Sequence, residues 1–337
     1  MEIVKNQSGK NLANIITELM LSSKPIWIAR IGGSDYDYYN YIINSQNEAT
    51  ETEDEDVINN ILKSDKYYYF YKLIKSLNGF FDKNNNMKIS LLSSKIYIDS
   101  VLNSDFILLL GEIYWQIRNK NFKYSKFVKG YTKNKNHQCS SYSIIESGMA
   151  PECNQKGGNF FLNSFKIWGK NKKILIISPF EKTIKYQTDP ERINNLLKNY
   201  TFPNCEFKTY GIPITYNFDS ELKEQYFEKV SKPYNNWIEL AEKMIDDISK
   251  IDFDVAFISA GIYTMYLGNE IKKMGKKAIY IGGVLNVFFN IYGKRYEDQY
   301  YKNIQNLDFQ VKVMDDFGDL LDNSEKNATN EALNAYF

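Results

Sequence analysis

Short apolar runs alternate with amphipathic stretches along most of the chain. Four mainly apolar runs predict buried strands: 26–31, 173–178, 253–259 and 277–281. Apolar residues at helical spacing predict helices over 11–21, 237–248 and 265–274. A shorter strand is predicted over 206–210. Apolar strands that alternate with helices are typical of an α/β fold, with a largely parallel sheet covered by helices on both faces.

The first half of the chain has a less decisive pattern. A helix is predicted over 57–77, whereas the short apolar runs of 89–110 fit either a helix or a strand. The basic and polar stretch 119–140 is predicted to be a long exposed connection. We expect a single α/β domain over 1–322, followed by a C-terminal tail over 323–337 that loses its periodicity.

Composition removes several classes of function. The chain of 337 residues has 42 Lys and Arg against 41 Asp and Glu, so a basic surface for nucleic acid is not expected. Three cysteines and one histidine argue against a disulfide framework and an ordinary zinc site. No long apolar run predicts a transmembrane span, and the first residues lack a signal-peptide pattern. We therefore expect a cytoplasmic protein, free or at the inner face of the membrane.

The end of the first predicted buried strand carries the most distinctive residues. In an open α/β sheet, ligands bind beyond the carboxyl ends of the strands. Arg30 is followed there by Gly32 and Gly33, which let the backbone approach a ligand closely. Asp35 and Asp37 stand two residues apart and can both approach one hard cation, Mg²⁺ or Mn²⁺, that bridges a diphosphate. Alternatively, Asp35 caps a helix and Asp37 is solvated.

Two later strand ends carry groups suited to an anion. After 173–178, Ser178 can donate a hydrogen bond and Lys182 can reach an anionic ligand. The small-residue turn after the strand 253–259 contains Gly261 and opens a helix near Tyr263. Backbone N–H groups at such a helix start favour anions. The alternative after 173–178 is a simple turn from strand to helix with a surface lysine.

The fourth strand end combines glycines, which let a ligand approach the backbone closely, with positively charged side chains. Gly282 and Gly283 follow the last predicted strand, and Lys294 and Arg295 come shortly after them. Arginine can bind a phosphate through two parallel hydrogen bonds. Taken together, the four strand ends predict a pocket for a phosphorylated, nucleotide-type ligand.

Several of these segments resemble one family. RIGGSD at 30–35 resembles the "RxGDGE"-type signature of the GT-D fold glycosyltransferases and their relatives in bacterial polysaccharide loci. The segments ISPF at 177–180, SAGIY at 259–263 and the run 275–295 are similar to later blocks of such proteins. The resemblance implies a single Rossmann-like domain that transfers a sugar from a nucleotide-diphosphate donor. The acceptor would be a glycan or a lipid-linked glycan in the synthesis of capsule or other surface polysaccharide.

The chain departs from this signature at one important position. When the arginines are aligned, the family's first acid falls on Gly33 and its second on Asp35. In the family the acidic pair handles the metal and the diphosphate, so a pair survives here only as Asp35 and Asp37. Three alternatives stay open: an enzyme with a divalent cation, a metal-independent enzyme that uses Arg and Lys side chains, and a non-catalytic nucleotide- or glycan-binding protein. Another small-group transferase with an activated anionic donor is a further alternative.

The acid–base chemistry of the predicted reaction points to a carboxylate. An inverting transfer needs a base that removes the proton of the acceptor hydroxyl. The only histidine, His137, lies in the predicted connection and is expected to be a loop residue. Asp35 and Asp37 are the candidate catalytic residues, and Glu112 and Glu146 could also serve.

Overall fold

A computed structural model describes most of the chain. The described residues are 2–3, 9–31, 38–39, 41–42, 64–84, 87–109, 138–141, 160–215, 228–229, 231–293 and 302–315. They contain every strand that the apolar runs predict.

The described strands form one sheet in the order β1-β4-β3-β2-β8-β7-β5-β6, and every neighbouring pair is parallel. Their bounds are β1 (Glu2–Ile3), β2 (Ile26–Ile31), β3 (Phe106–Leu109), β4 (Gln138–Ser141), β5 (Lys173–Ser178), β6 (Glu206–Gly211), β7 (Val255–Ile258) and β8 (Lys277–Tyr280). The predicted α/β architecture with a parallel sheet is confirmed, and it is consistent with a Rossmann-like fold.

The α-helices alternate with these strands. Their bounds are α1 (Gly9–Leu21), α2 (Asp65–Asn78), α3 (Met87–Leu102), α4 (Phe160–Trp168), α5 (Glu181–Gln187), α6 (Trp237–Ile248), α7 (Tyr263–Lys273) and α8 (Val284–Phe288). The helices predicted over 11–21, 237–248 and 265–274 are confirmed as α1, α6 and α7. The ambiguous stretch 89–110 contains both states, because α3 ends before β3 begins.

The predicted exposed connection over 119–140 is wrong at its end. Residues from Gln138 onward form β4, which pairs with β3 on one side and β1 on the other. The polar sequence QCSS gives no apolar pattern, so only the backbone pairing reveals this strand. The rest of that stretch and the predicted tail 323–337 lie outside the described residues.

The direction in which the chain moves along the sheet decides which face each helix covers. Parallel crossovers share one hand, so steps in opposite directions place helices on opposite faces. The helices α1, α4 and α5 lie in connections whose next strand is nearer to β6 in the sheet. They pack on one face, called here the α1 face. The helices α2, α3, α6 and α7 lie in connections whose next strand is farther from β6, and they pack on the α7 face.

Side chains of the central strand β2 divide between the two faces. Trp27, Ala29 and Ile31 belong to the core on the α7 face, whereas Ile28 belongs to the core on the α1 face. A β-carbon added to Gly268 of α7 would lie 2.2 Å from the Trp27 ring, so only glycine lets the helix approach this closely. The tight contact fixes α7 against β2, and with it the end of β2 that carries Arg30.

Candidate functional site

Two boundaries in the sheet can open a crevice at its carboxyl edge. β5 and β7 are neighbours, yet the next helices, α5 and α7, lie on opposite faces. β2 and β8 are also neighbours: the chain after β2 packs Tyr38 and Tyr39 on the α7 face, whereas α8 packs on the α1 face. Ligands of open parallel sheets bind at such switch points. Arg30 and Gly282 lie at the second boundary.

The structure brings Arg30, Tyr280 and Gly282 together. Cζ of Arg30 lies 5.3 Å from the centre of the Tyr280 ring, within the range of a cation–π contact. A β-carbon on Gly282 would lie 2.3 Å from Nη1 of Arg30, and Gly282 has a φ of +68°. Glycine therefore meets two requirements at position 282: it can adopt the positive φ, and it leaves the space that the guanidinium occupies.

Hydrogen bonds tie the Gly282–Gly283 turn to the neighbouring strand. The carbonyl of Ile258, at the end of β7, accepts from the N–H groups of Ile281 and Gly282 at 3.0 and 3.1 Å. Gly283 is the N-cap residue of α8, and the carbonyl of Gly282 accepts from the N–H of Leu285 at 3.0 Å. The turn that faces the Arg30 guanidinium is thus fixed by the sheet itself.

At the carboxyl end of β5, a carboxylate of the chain itself caps the start of α5. Oδ1 of Asp315 accepts from the N–H of Lys182 at 2.9 Å, and its Oδ2 accepts from the hydroxyl of Thr183 at 2.6 Å. Ser178 is buried, and its Oγ accepts from the N–H of Phe180 at 3.3 Å. The side chain of Lys182 is exposed. Binding of a diphosphate by Ser178 and Lys182 stays a prediction, whereas the start of α5 is capped internally.

The turn after β7 was predicted to offer free backbone N–H groups to an anion, yet two of these groups donate within the protein. The N–H of Ile262 donates to the carbonyl of Asn78 at 2.8 Å, and the N–H of Ala260 donates to Oγ1 of Thr264 at 3.0 Å. The expectation of open amides is therefore wrong at these two residues. Gly261 has a left-handed φ of +53°, which explains the glycine by its backbone angle.

Tyr263 lies in the core and not at a surface that faces ligand. Its hydroxyl is 2.7 Å from Oγ1 of Thr215, which in turn donates to the carbonyl of Gly79 at 2.7 Å. Its ring packs edge-on against Trp237. Burial raises the pKa of the Tyr263 hydroxyl, although the hydrogen bond to Thr215 opposes this shift. The role of this side chain is to join α7 to the segments that follow α2 and β6.

A cluster of buried hydroxyl groups anchors the chain after the predicted signature. Tyr38 donates to Oγ of Ser90 in α3 at 2.8 Å, and the hydroxyl of Tyr67 in α2 lies 3.2 Å from the same atom. Burial raises the pKa of both tyrosines. The sequence analysis did not identify this cluster. The apolar spacing of Tyr38, Tyr39 and Ile42 was the available signal, because these three buried residues have helical spacing.

The other predicted site residues lie outside the described residues: Gly32, Gly33, Asp35, Asp37, Lys294 and Arg295, together with Glu112, Glu146 and His137. Among the residues that the structure describes, no three His, Cys, Asp or Glu side chains are grouped as metal ligands. The predicted pair of metal ligands, Asp35 and Asp37, therefore stays a prediction.

Comparisons with protein-family models, with curated proteins and with solved structures give no match for this chain. Within the described ranges, every helix is too short or too polar to cross a membrane. Among the described residues, Arg30 has the placement that bears most directly on function.

Proposed function

We propose that this protein is a glycosyltransferase that moves a sugar from a nucleotide-diphosphate donor to a glycan acceptor in bacterial surface polysaccharide synthesis. One observation carries the proposal: the Arg30 guanidinium is held beside Gly282 at the carboxyl edge of the sheet. At this edge, the segments that follow β2 and β8 pack on opposite faces of the sheet. Ligands of parallel sheets bind at such boundaries. A guanidinium fixed there supports a phosphorylated ligand, because its fork of donors matches phosphate oxygens.

The packing around Arg30 supports a role in binding over a role in the core. Arg30 is half-buried, so its charge is only partly screened by bulk water. Tyr280 lies below the guanidinium at 5.3 Å and the Gly282 turn lies beside it. These contacts restrict the side chain before a ligand arrives, which lowers the entropy cost of binding.

In the proposed reaction, Arg30 stabilises the leaving group. Negative charge grows on the diphosphate as the bond from the sugar to the phosphate oxygen breaks, and a cation already in place stabilises it. Asp35 or Asp37 would accept the proton of the acceptor hydroxyl. A divalent cation held by these two carboxylates would supply further charge to the diphosphate.

Donor binding tests the proposal. Titration with UDP-, GDP- and CMP-sugars should give binding by at least one donor, and incubation with a glycan acceptor should release the nucleotide. Arg30→Gln should weaken donor binding about tenfold or more, since a hydrogen bond to a charged group contributes roughly 1.5–3 kcal/mol. Arg192→Gln is the matched control, because Arg192 lies after α5 and packs on Tyr186 and Phe309. No binding of any donor, or equal effects of both substitutions, would contradict the proposal.

Gly33 favours a second candidate function, a nucleotide- or glycan-binding protein without turnover. It stands where the resembling signature has its first acid. This candidate predicts donor binding that neither EDTA nor Asp35→Asn changes, with no nucleotide release. Sugar transfer that Asp35→Asn abolishes would exclude it and support the enzyme.

A further inference from the structure

A cleft of about 760 Å³ opens at the amino edge of the sheet, where β5 and β6 begin and where the chain returns after α5. Lys172, Thr188, Ile193 and Glu206 are among its lining residues. Its volume is typical of a small-molecule site. β5 runs from Lys173 in the cleft to Ser178 at the opposite edge. Five residue steps of ~3.3 Å make this separation about 17 Å, so the cleft is distinct from the Arg30 site.

Among the described residues, the charged groups around the cleft leave one lining lysine without an ion pair. Lys173 forms an ion pair with Asp252, and Glu206 lies 3.5 Å from the ammonium of Lys208. Within the described ranges, Lys172 has no ion pair, and its side chain is half-buried at the cleft. Lys172 is therefore a lining cation that can pair with a ligand, which favours a molecule with an anionic group.

The polar part of the lining is rich in amide side chains. Asn171, Asn194 and Asn204 all line the cleft and are exposed. Each side-chain amide has an acceptor oxygen and two N–H donors. The backbone N–H of Asn171 donates to the carbonyl of Asn204 at 2.7 Å, which holds two of these residues side by side. Adjacent groups that both donate and accept match the neighbouring hydroxyl groups of a sugar.

The apolar part of the lining offers little to a nucleobase. Phe202 and Phe207 pack edge-on with ring centres 6.0 Å apart, and both rings also contact Phe289. Phe202 is buried, so its ring face is not open for stacking. Cys205 adds no negative charge, because burial raises the pKa of its thiol to about 12. The lining thus fits a hydroxyl-rich ligand better than an aromatic one.

We propose that this amino-edge cleft binds a sugar that carries an anionic group, with Lys172 facing the anion and the three asparagines facing the hydroxyl groups. The proposal does not rest on the glycosyltransferase function, because the cleft lies at the other edge of the sheet. A lysine ammonium pairs with a carboxylate and with a phosphate alike. The ligand is therefore either a sugar carboxylate or a sugar phosphate, and separate probes distinguish the two.

Titration of the full chain with glucuronate, glucose 6-phosphate and glucose tests this inference. At least one anionic sugar should bind more tightly than glucose, by about fivefold for one partly exposed charge contact. Lys172→Gln should reduce that affinity to the level of glucose. Lys170→Gln removes the same charge from an exposed neighbour that does not line the cleft, and it should change nothing.

A second substitution keeps the test decisive if Lys172→Gln disturbs folding. Asn194 is exposed in the cleft wall, so Asn194→Trp should block the cleft, abolish sugar binding and leave the Tm unchanged. Neither substitution should alter binding of a nucleotide-sugar at the Arg30 edge. Equal binding of glucose and both anionic sugars, anionic-sugar binding that survives Asn194→Trp, or equal losses in the two lysine variants would overturn the proposal.

Discussion

Gly282 meets two separate demands that can be measured apart. Its φ of +68° is one that side chains rarely adopt, and its missing β-carbon leaves room for Nη1 of Arg30. Gly275 has a similar φ of +82°, yet nothing lies within 4 Å of the place where its β-carbon would stand. The second glycine therefore isolates the cost of the backbone angle.

We expect Gly282→Ala to lower the free energy of unfolding and to weaken donor binding, because the new methyl group displaces the Arg30 guanidinium. Gly275→Ala should lower stability by a comparable amount, about 1–3 kcal/mol for a strained backbone, without any effect on donor binding. Urea unfolding and donor titration measure the two quantities. Donor binding that is equally unchanged in both variants would argue against a role for Arg30 placement.

Among single residues, the sequence predicted Arg30 and Gly282 as site residues but not their contact. The arginine suggested a positive charge, and the glycine suggested a close approach to the backbone. Their contact depends on the register of β2 beside β8. For Tyr263 the sequence pattern was misleading. A tyrosine at a helix start can face a ligand or the core, and only its packing against Trp237 and Thr215 distinguishes these positions.

At the scale of elements, the start of α5 depends on a distant segment. Asp315 caps this helix start with hydrogen bonds from Lys182 and Thr183, although it lies 133 residues after Lys182 in the sequence. No local pattern can predict such a cap, because the partner is brought there only by the complete fold. The apolar strands were predictable for the opposite reason. Burial on both faces requires a continuous run of apolar residues, and such a run is visible in the local sequence.

Asp315→Ala should destabilise the protein by about 0.5–2 kcal/mol, the usual range for the loss of a capping side chain. Asp308→Ala is the control, because Asp308 is exposed in the same C-terminal segment and lies in a short turn away from the start of α5. Thermal and urea unfolding of the two variants provide the comparison. If both variants unfold at the same urea concentration as the parent protein, Asp315 does not stabilise α5.

In the whole molecule, the carboxyl edge and the amino edge of the parallel sheet carry different chemical groups. The carboxyl edge holds the Arg30 guanidinium beside the Gly282 turn, and the amino edge holds the cleft with Lys172. The alternation of strands and helices predicted this architecture, and the switch points follow from the strand order. The amino-edge cleft had no signal in the sequence, because its asparagines and lysines are common residues that the fold alone gathers.

A structure of the protein with a nucleoside diphosphate bound tests whether Arg30 binds the phosphates of the donor. We expect the diphosphate at the carboxyl edge between β2 and β8, with phosphate oxygens about 3 Å from the Arg30 guanidinium. A diphosphate bound in the amino-edge cleft, or one at the carboxyl edge that does not contact Arg30, would contradict it.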